Sequence, residues 1–145
     1  MSATTNTTTP AKVLYTAKAH SAGGRDGGTS RTDDGRLDLT FTSPGKPGSG
    51  TNPEQLFAAG WSTCFIGAMG LAAAKRRIAL PAGTAIDSEV DLLQTDGAFS
   101  LQARFNVNLP GLERDVAQAL VEAAHQICPY SRATRGNVDV TFTLV

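Results

Sequence analysis

The chain has 145 residues, 41% of them hydrophobic and 18% charged, which suits one domain of ordinary size with a real core. Lys+Arg and Asp+Glu number 13 each, so the formal net charge is zero. That balance removes any bulk electrostatic reason to bind nucleic acid or an anionic membrane, and neither is expected as a partner.

Residues 1–11 are rich in Ser, Thr and Asn and hold no apolar run, so they read as a disordered tail rather than a secretory signal. The expected location is therefore cytoplasmic, where a disulfide is usually transient or catalytic. Residues 12–145 read as a single domain without repeats. Lys12–Ala19 alternates Val13, Tyr15, Ala17 and Ala19 on one side, a strand pattern. His20–Gly28 follows as a loop, with Gly23, Gly24, Gly27 and Gly28 around Arg25 and Asp26. Arg36–Thr42 alternates again and predicts a second strand.

Thr51–Lys75 is the stretch around which the rest is organised. Asn52 fits a helix cap, Pro53 the first helical position, and Gln55 the place of a capping-box partner. From Leu56 to Ala74 no residue carries a formal charge, so the run reads as a helix buried on all sides. It is long enough to raise the question of a membrane span. Gly60, Ser62, Thr63, Gly67, Gly70 and many alanines make it a poor one, and the central helix of a soluble protein is the better reading.

Beyond Pro81 and Gly83, Ile86–Leu92 and Phe99–Leu109 read as strands joined by an Asp96-Gly97 hairpin turn. Leu112, Val116, Leu120, Ala123 or Ala124, and Ile127 then recur at helical spacing opposite Glu113, Arg114, Asp115, Gln118, Glu122 and Gln126. This amphipathic helix ends at Cys128, because Pro129 disfavours helix at the residue before it. Asn137–Val145 predicts a last strand. The order ββ-α-ββ-α-β indicates an α+β fold with a mostly antiparallel sheet.

Two cysteines, Cys64 and Cys128, and two histidines, His20 and His125, are the reactive inventory. They lack the close ligand pairs of structural zinc sites, and no phosphate loop or dinucleotide fingerprint is present. Neither a structural zinc site nor nucleotide binding is expected. His125 and Cys128 at i, i+3 could form a nucleophile–base pair, although a histidine on a polar helix flank is usually solvated. The two cysteines could be unrelated core residues, or could meet in the fold as a reversible disulfide.

The wording of the sequence adds to this. Asn52-Pro-Glu-Gln-Leu-Phe-Ala-Ala-Gly-Trp-Ser-Thr-Cys64-Phe-Ile-Gly-Ala resembles the first cysteine motif of the OsmC/Ohr superfamily. Cys128-Pro-Tyr-Ser-Arg-Ala-Thr-Arg-Gly-Asn-Val-Asp-Val140 resembles the second, and Gly23-Gly-Arg-Asp-Gly27 the arginine loop. The match omits only the Thr-rich tail and favours the organic hydroperoxide resistance branch. Trp61 and Thr63 depart from the more usual Tyr and Ala, and Arg132 from the usual Asn.

The resemblance implies a mostly antiparallel sheet around a long central helix in an intertwined homodimer. It also implies a thiol peroxidase that reduces organic and lipid hydroperoxides to alcohols. By that pattern Cys64 is the peroxidatic thiolate, Cys128 the resolving thiol, and Arg25 and Glu54 the pair that activates Cys64. The oxidised form would be re-reduced by a dihydrolipoyl dithiol, making lipoylated proteins the partners and implying no bound metal, haem or flavin. Phe57, Trp61, Phe65, Ile66 and Met69 are bulky apolar residues near the thiol that face either the substrate or the core, and of these Phe57, Trp61, Phe65 and Met69 are the candidate substrate contacts. A non-enzymatic redox sensor with the same disulfide, and a Cys64 hydrolase with a histidine base, are the readings from other classes. Glu54 and Cys64 are ten residues apart on one expected helix, roughly 15 Å along its axis, which suggests that Arg25 and Glu54 act on Cys64 of the other subunit.

Overall fold

A computed structural model of the protein describes residues 9–145, so most of the expected tail lies outside the described residues. The chain divides into two compact units, the first ending at Thr51 and the second spanning Asn52–Val145, where the sequence pattern marks a single domain.

The first unit is an antiparallel sheet of β1 (Ala19–Ala22), β2 (Thr29–Thr32) and β3 (Asp38–Thr40), in that spatial order. Its register sets Ser21 opposite Ser30, and their hydroxyls meet at 2.8 Å. The strand expected at Lys12–Ala19 is not there. Residues 12–18 join no strand among the described residues, and Val13, Leu14 and Tyr15 are 76%, 86% and 79% exposed. Alternation specifies a face, but a strand also needs a neighbouring edge for its N–H and C=O groups. The hairpin that does form, Ala-His-Ser-Ala against Thr-Ser-Arg-Thr, is short and polar and carries no apolar periodicity to reveal it. The second expected strand contracts to β3, with Phe41 making a single bridge to Thr51.

The second unit is built on α1 (Pro53–Lys75). Its start follows the sequence signals: the Asn52 Oδ1 accepts from the Gln55 N–H at 2.9 Å and Pro53 occupies the first turn. Strands β4 (Ala85–Thr95) and β5 (Ala98–Asn108) form an antiparallel hairpin. Asp96 (φ 52°) and Gly97 (φ 82°) supply the two left-handed residues that its tight turn requires. Helices α2 (Arg114–Ile127) and α3 (Pro129–Thr134) then cross over to β6 (Asp139–Leu144), which pairs parallel to β5. Parallel neighbours need such a crossover. Arg104 ties Glu89 (2.8 Å) and Asp91 (2.7 Å) together on the side of the β4–β5 hairpin away from the core.

Trp61, Phe65 and Met69 of α1 are fully enclosed with Phe105 and Val107 of β5, and Phe105 sits edge-on to both Trp61 and Phe65. By length and composition α1 also meets the requirements of a membrane span, but this enclosed side is that of a core helix. The opposite side corrects the expectation of burial all round: Ala59, Thr63, Gly67, Leu71 and Ala74 are exposed within the single chain. An uncharged helix has no polar stripe to announce which side is open.

Candidate active site

Cys64 lies midway along α1, three residues after Trp61 and just before Phe65, at the border between the enclosed and the open sides. Cys128 is the hinge between α2 and α3. Pro129 excludes the helical conformation there, and Cys128 takes φ −61°, ψ 124° while its N–H still caps α2 by donating to the Ala124 carbonyl. The proline then opens α3 at the position where a missing N–H costs nothing. The sequence therefore anticipates where α2 stops, but not that a new helix starts at once.

This hinge carries the Cys128 side chain to Cys64. Cys64 packs against the core cluster that contains Cys128, and both cysteines are free thiols. Cys128 is wholly enclosed and Cys64 partly open. The backbone N–H of Tyr130, the first that α3 can offer after Pro129, favours the ionised Cys64 sulfur. Burial pushes the Cys64 thiol above its ordinary pKa, and the neighbouring Cys128 adds to that; the Tyr130 N–H acts against both.

The turn after Cys128 is fastened to α1 at two further points that sequence reasoning did not assign. The Trp61 Nε1–H donates to the Ser131 Oγ at 3.2 Å, with both residues fully buried. The Tyr130 ring lies over Gly60, where an added Cβ would meet the phenolic oxygen at 2.7 Å. Phe57 contacts both rings edge-on, at 5.7 Å from Trp61 and 6.4 Å from Tyr130. Gly60 has no Cβ to oppose that approach, but Gly67 and Gly70 of the same helix have open space around them, so the sequence alone does not single it out.

Of the four residues singled out for catalysis, Cys64 and Cys128 come together in the second unit. Glu54 is in the first turn of α1, on the same unbroken helix as Cys64 and about 15 Å from it along the axis. Arg25 is exposed in the first unit, in the tight β1–β2 connection. That loop depends on Gly28, where a Cβ would fall 2.1 Å from the Gly24 oxygen. Among the apolar candidates, Trp61, Phe65 and Met69 are core residues with no exposed surface, whereas Phe57 is half-buried. His125 departs from the solvated histidine expected on a polar flank. Its ring packs edge-on against Phe142 at 5.0 Å, and its Nδ1 is buried without a hydrogen-bond partner.

An α+β unit that holds two free thiols between a long core helix and a proline-started turn defines a class of dithiol proteins. Residues 45–143 match the family model described as OsmC-like protein. An organic hydroperoxide resistance protein of Xanthomonas axonopodis pv. citri is 49% identical over 93% of this chain and 97% of its own. The chain is similar in structure to the organic hydroperoxide resistance protein OhrB of Bacillus subtilis, with a TM-score of 0.86, 44% identity, and 92% and 100% of the two chains covered. An organic hydroperoxide resistance protein of Legionella pneumophila gives 0.85 and 42%, covering 92% and 98%. The chain belongs to the OsmC-like family, in its organic hydroperoxide resistance branch.

Proposed function

We propose that the protein protects against organic peroxides as a two-cysteine peroxidase. The observation that carries this reading is the meeting of two free thiols, one partly open and one enclosed, within a branch named for organic hydroperoxide resistance. The Cys64 thiolate attacks the terminal oxygen of ROOH. An S–O bond forms, the O–O bond breaks, and RO⁻ takes up a proton to leave as the alcohol, with Cys64 now a sulfenic acid. The Cys128 sulfur attacks the Cys64 sulfur, water departs, and the Cys64–Cys128 disulfide remains. A dihydrolipoyl dithiol returns two electrons and two protons by thiol–disulfide exchange and becomes the cyclic disulfide. The thiols carry the electrons themselves, so the chemistry calls for no bound metal or cofactor, and a reducing cytoplasm suits it.

A thiol with a raised pKa is a poor nucleophile at neutral pH, so a cation is needed to hold it ionised. We assign that role to Arg25, oriented by Glu54 through paired hydrogen bonds, because both stand in the matching motifs. A glutamate side chain does not span about 15 Å, so the pair would serve Cys64 of a second copy in a homodimer. The uncharged open side of α1 and the exposed Val13, Leu14 and Tyr15 favour such a partner. Phe57, half-buried beside the two cysteine motifs, is the assigned contact for the alkyl group, with Trp61, Phe65 and Met69 forming the wall behind it.

The test is turnover of an alkyl hydroperoxide with dihydrolipoamide. Cys64→Ser should abolish it, and Cys128→Ser should impair it and accumulate over-oxidised Cys64. Reducible cysteines without wild-type turnover would instead indicate a redox sensor.

A further inference from the structure

The disulfide step needs the Cys128 sulfur delivered to Cys64 along one line, ending with the sulfurs about 2.05 Å apart. Cys128 is held on both sides: α2 precedes it, and the Pro-Tyr-Ser turn of α3 follows. That turn touches α1 only one helical turn before Cys64. Gly60 and Trp61 lie at i−4 and i−3 from Cys64, so all three occupy neighbouring positions on one side of the helix. Against them stand Tyr130 over Gly60 and Ser131 bonded to Trp61, with Cys64 packed against the cluster that contains Cys128. The Trp61–Ser131 hydrogen bond joins two fully enclosed groups, so neither can exchange its partner for water without opening the core.

We propose that Trp61 and Ser131, with Gly60 making room for Tyr130, are positioning residues for the resolving step: they hold the turn in the register that lets Cys128 close on Cys64. The proposal rests on the two-cysteine reading above, but it concerns the closing of the disulfide and not the attack on peroxide. Loss of the clamp leaves the hinge at Cys128 free to drift, lengthens the life of the Cys64 intermediate, and exposes it to a second oxidant.

Closure can be measured without any peroxide, using 5,5′-dithiobis(2-nitrobenzoate) on the full-length reduced protein. Cys64 attacks the reagent's disulfide and releases one thionitrobenzoate, forming a mixed disulfide. Cys128 then attacks the Cys64 sulfur and releases the second, so the two rates report capture and closure separately. Ser131→Ala should leave the first release unchanged and slow the second about tenfold. Trp61→Phe, which keeps the aromatic packing and removes the N–H, should lower the ratio of the second rate to the first by a similar factor. Gly60→Ala should do the same by displacing Tyr130, with closure recovering in part in Gly60→Ala/Tyr130→Phe, which removes the phenolic oxygen at 2.7 Å and leaves the ring carbon at 3.2 Å. Closure as fast as wild type in Ser131→Ala and Trp61→Phe, or both releases slowed in parallel, would overturn the proposal. Clamp-dependent closure in a protein that turns over no hydroperoxide would leave the positioning role standing and remove the peroxidase reading.

Discussion

The two sides of α1 are made of nearly the same material and have opposite fates. Trp61, Phe65, Met69 and Ala72 are sealed into the core, while Ala59, Thr63, Gly67 and Leu71 on the other side stay open within one chain. Neither side carries a charge between Leu56 and Ala74. Side-chain volume separates them: the enclosed side holds the bulky residues that fill space against Phe105 and Phe142, and the open side holds mostly small ones. Cys64 sits at the border, so one helix can bring its thiol to the enclosed Cys128 on one flank and leave it reachable on the other.

The largest effect expected from this contrast is on the enclosed side. Phe65 stacks on Phe142 at 5.0 Å and meets Phe105 edge-on at 5.7 Å, with no exposed surface. Phe65→Ala should cost about 3–5 kcal/mol of unfolding free energy in chemical denaturation. A loss below about 1 kcal/mol would mean that the enclosed side is not the core it resembles.

What the sequence makes legible follows the same division. The start of α1, the Asp96-Gly97 hairpin and the end of α2 at Cys128 were legible because each depends on local chemistry: an Asx cap, a turn needing two left-handed residues, and a proline. The Gly-rich loop around Arg25 was legible for the same reason. The β1–β2 hairpin was not, since its residues bury little and alternate little. Nor was the state of residues 12–18, whose pattern names a face but not the edge that would receive it. The pairing of Cys64 and Cys128 is legible only through the resemblance of their motifs, because nothing in their spacing brings them together. The Trp61–Ser131 contact joins residues 70 positions apart and has no local signature at all.

The border position of Cys64 gives the next prediction. Burial and Cys128 raise its pKa, so its reaction with an alkylating agent should climb through the alkaline range wherever no cation offsets them. If Arg25 supplies that cation in the assembled protein, Arg25→Gln should move the ionisation midpoint of Cys64 upward. It should also slow peroxide reduction at pH 7 on the order of 100-fold. An unchanged alkylation profile would remove Arg25 from the activation of the thiol.

On the open side the effect should be smaller and should depend on concentration. Leu71 is 58% exposed in the single chain. If a second copy covers it, Leu71→Ala should weaken dimerisation by roughly tenfold, visible by sedimentation equilibrium. If solvent covers it, the substitution should leave assembly unchanged and stability within about 0.5 kcal/mol. The second outcome would turn the contrast into one between core and true surface, and would remove the support that the open stripe lends to a homodimer.

The smallest effect should come from His125, whose ring also packs on Phe142. Burial lowers its pKa first, and the nearby Arg135 guanidinium lowers it further. The folded protein therefore resists protonating His125, whereas the unfolded chain takes up the proton near the ordinary histidine value of 6.5. The stability linked to this group is complete above that pH and is lost as the pH falls from there through the lower folded value. His125→Phe keeps a ring against Phe142 and removes the titrating group, so its melting temperature should fall less steeply than that of wild type below pH 6.5. At pH 8 the two slopes should be the same. Equal slopes below pH 6.5 as well would mean that the proton enters His125 without opening its contact with Phe142. The residue would then behave like the solvated histidine that the polar flank of α2 suggests.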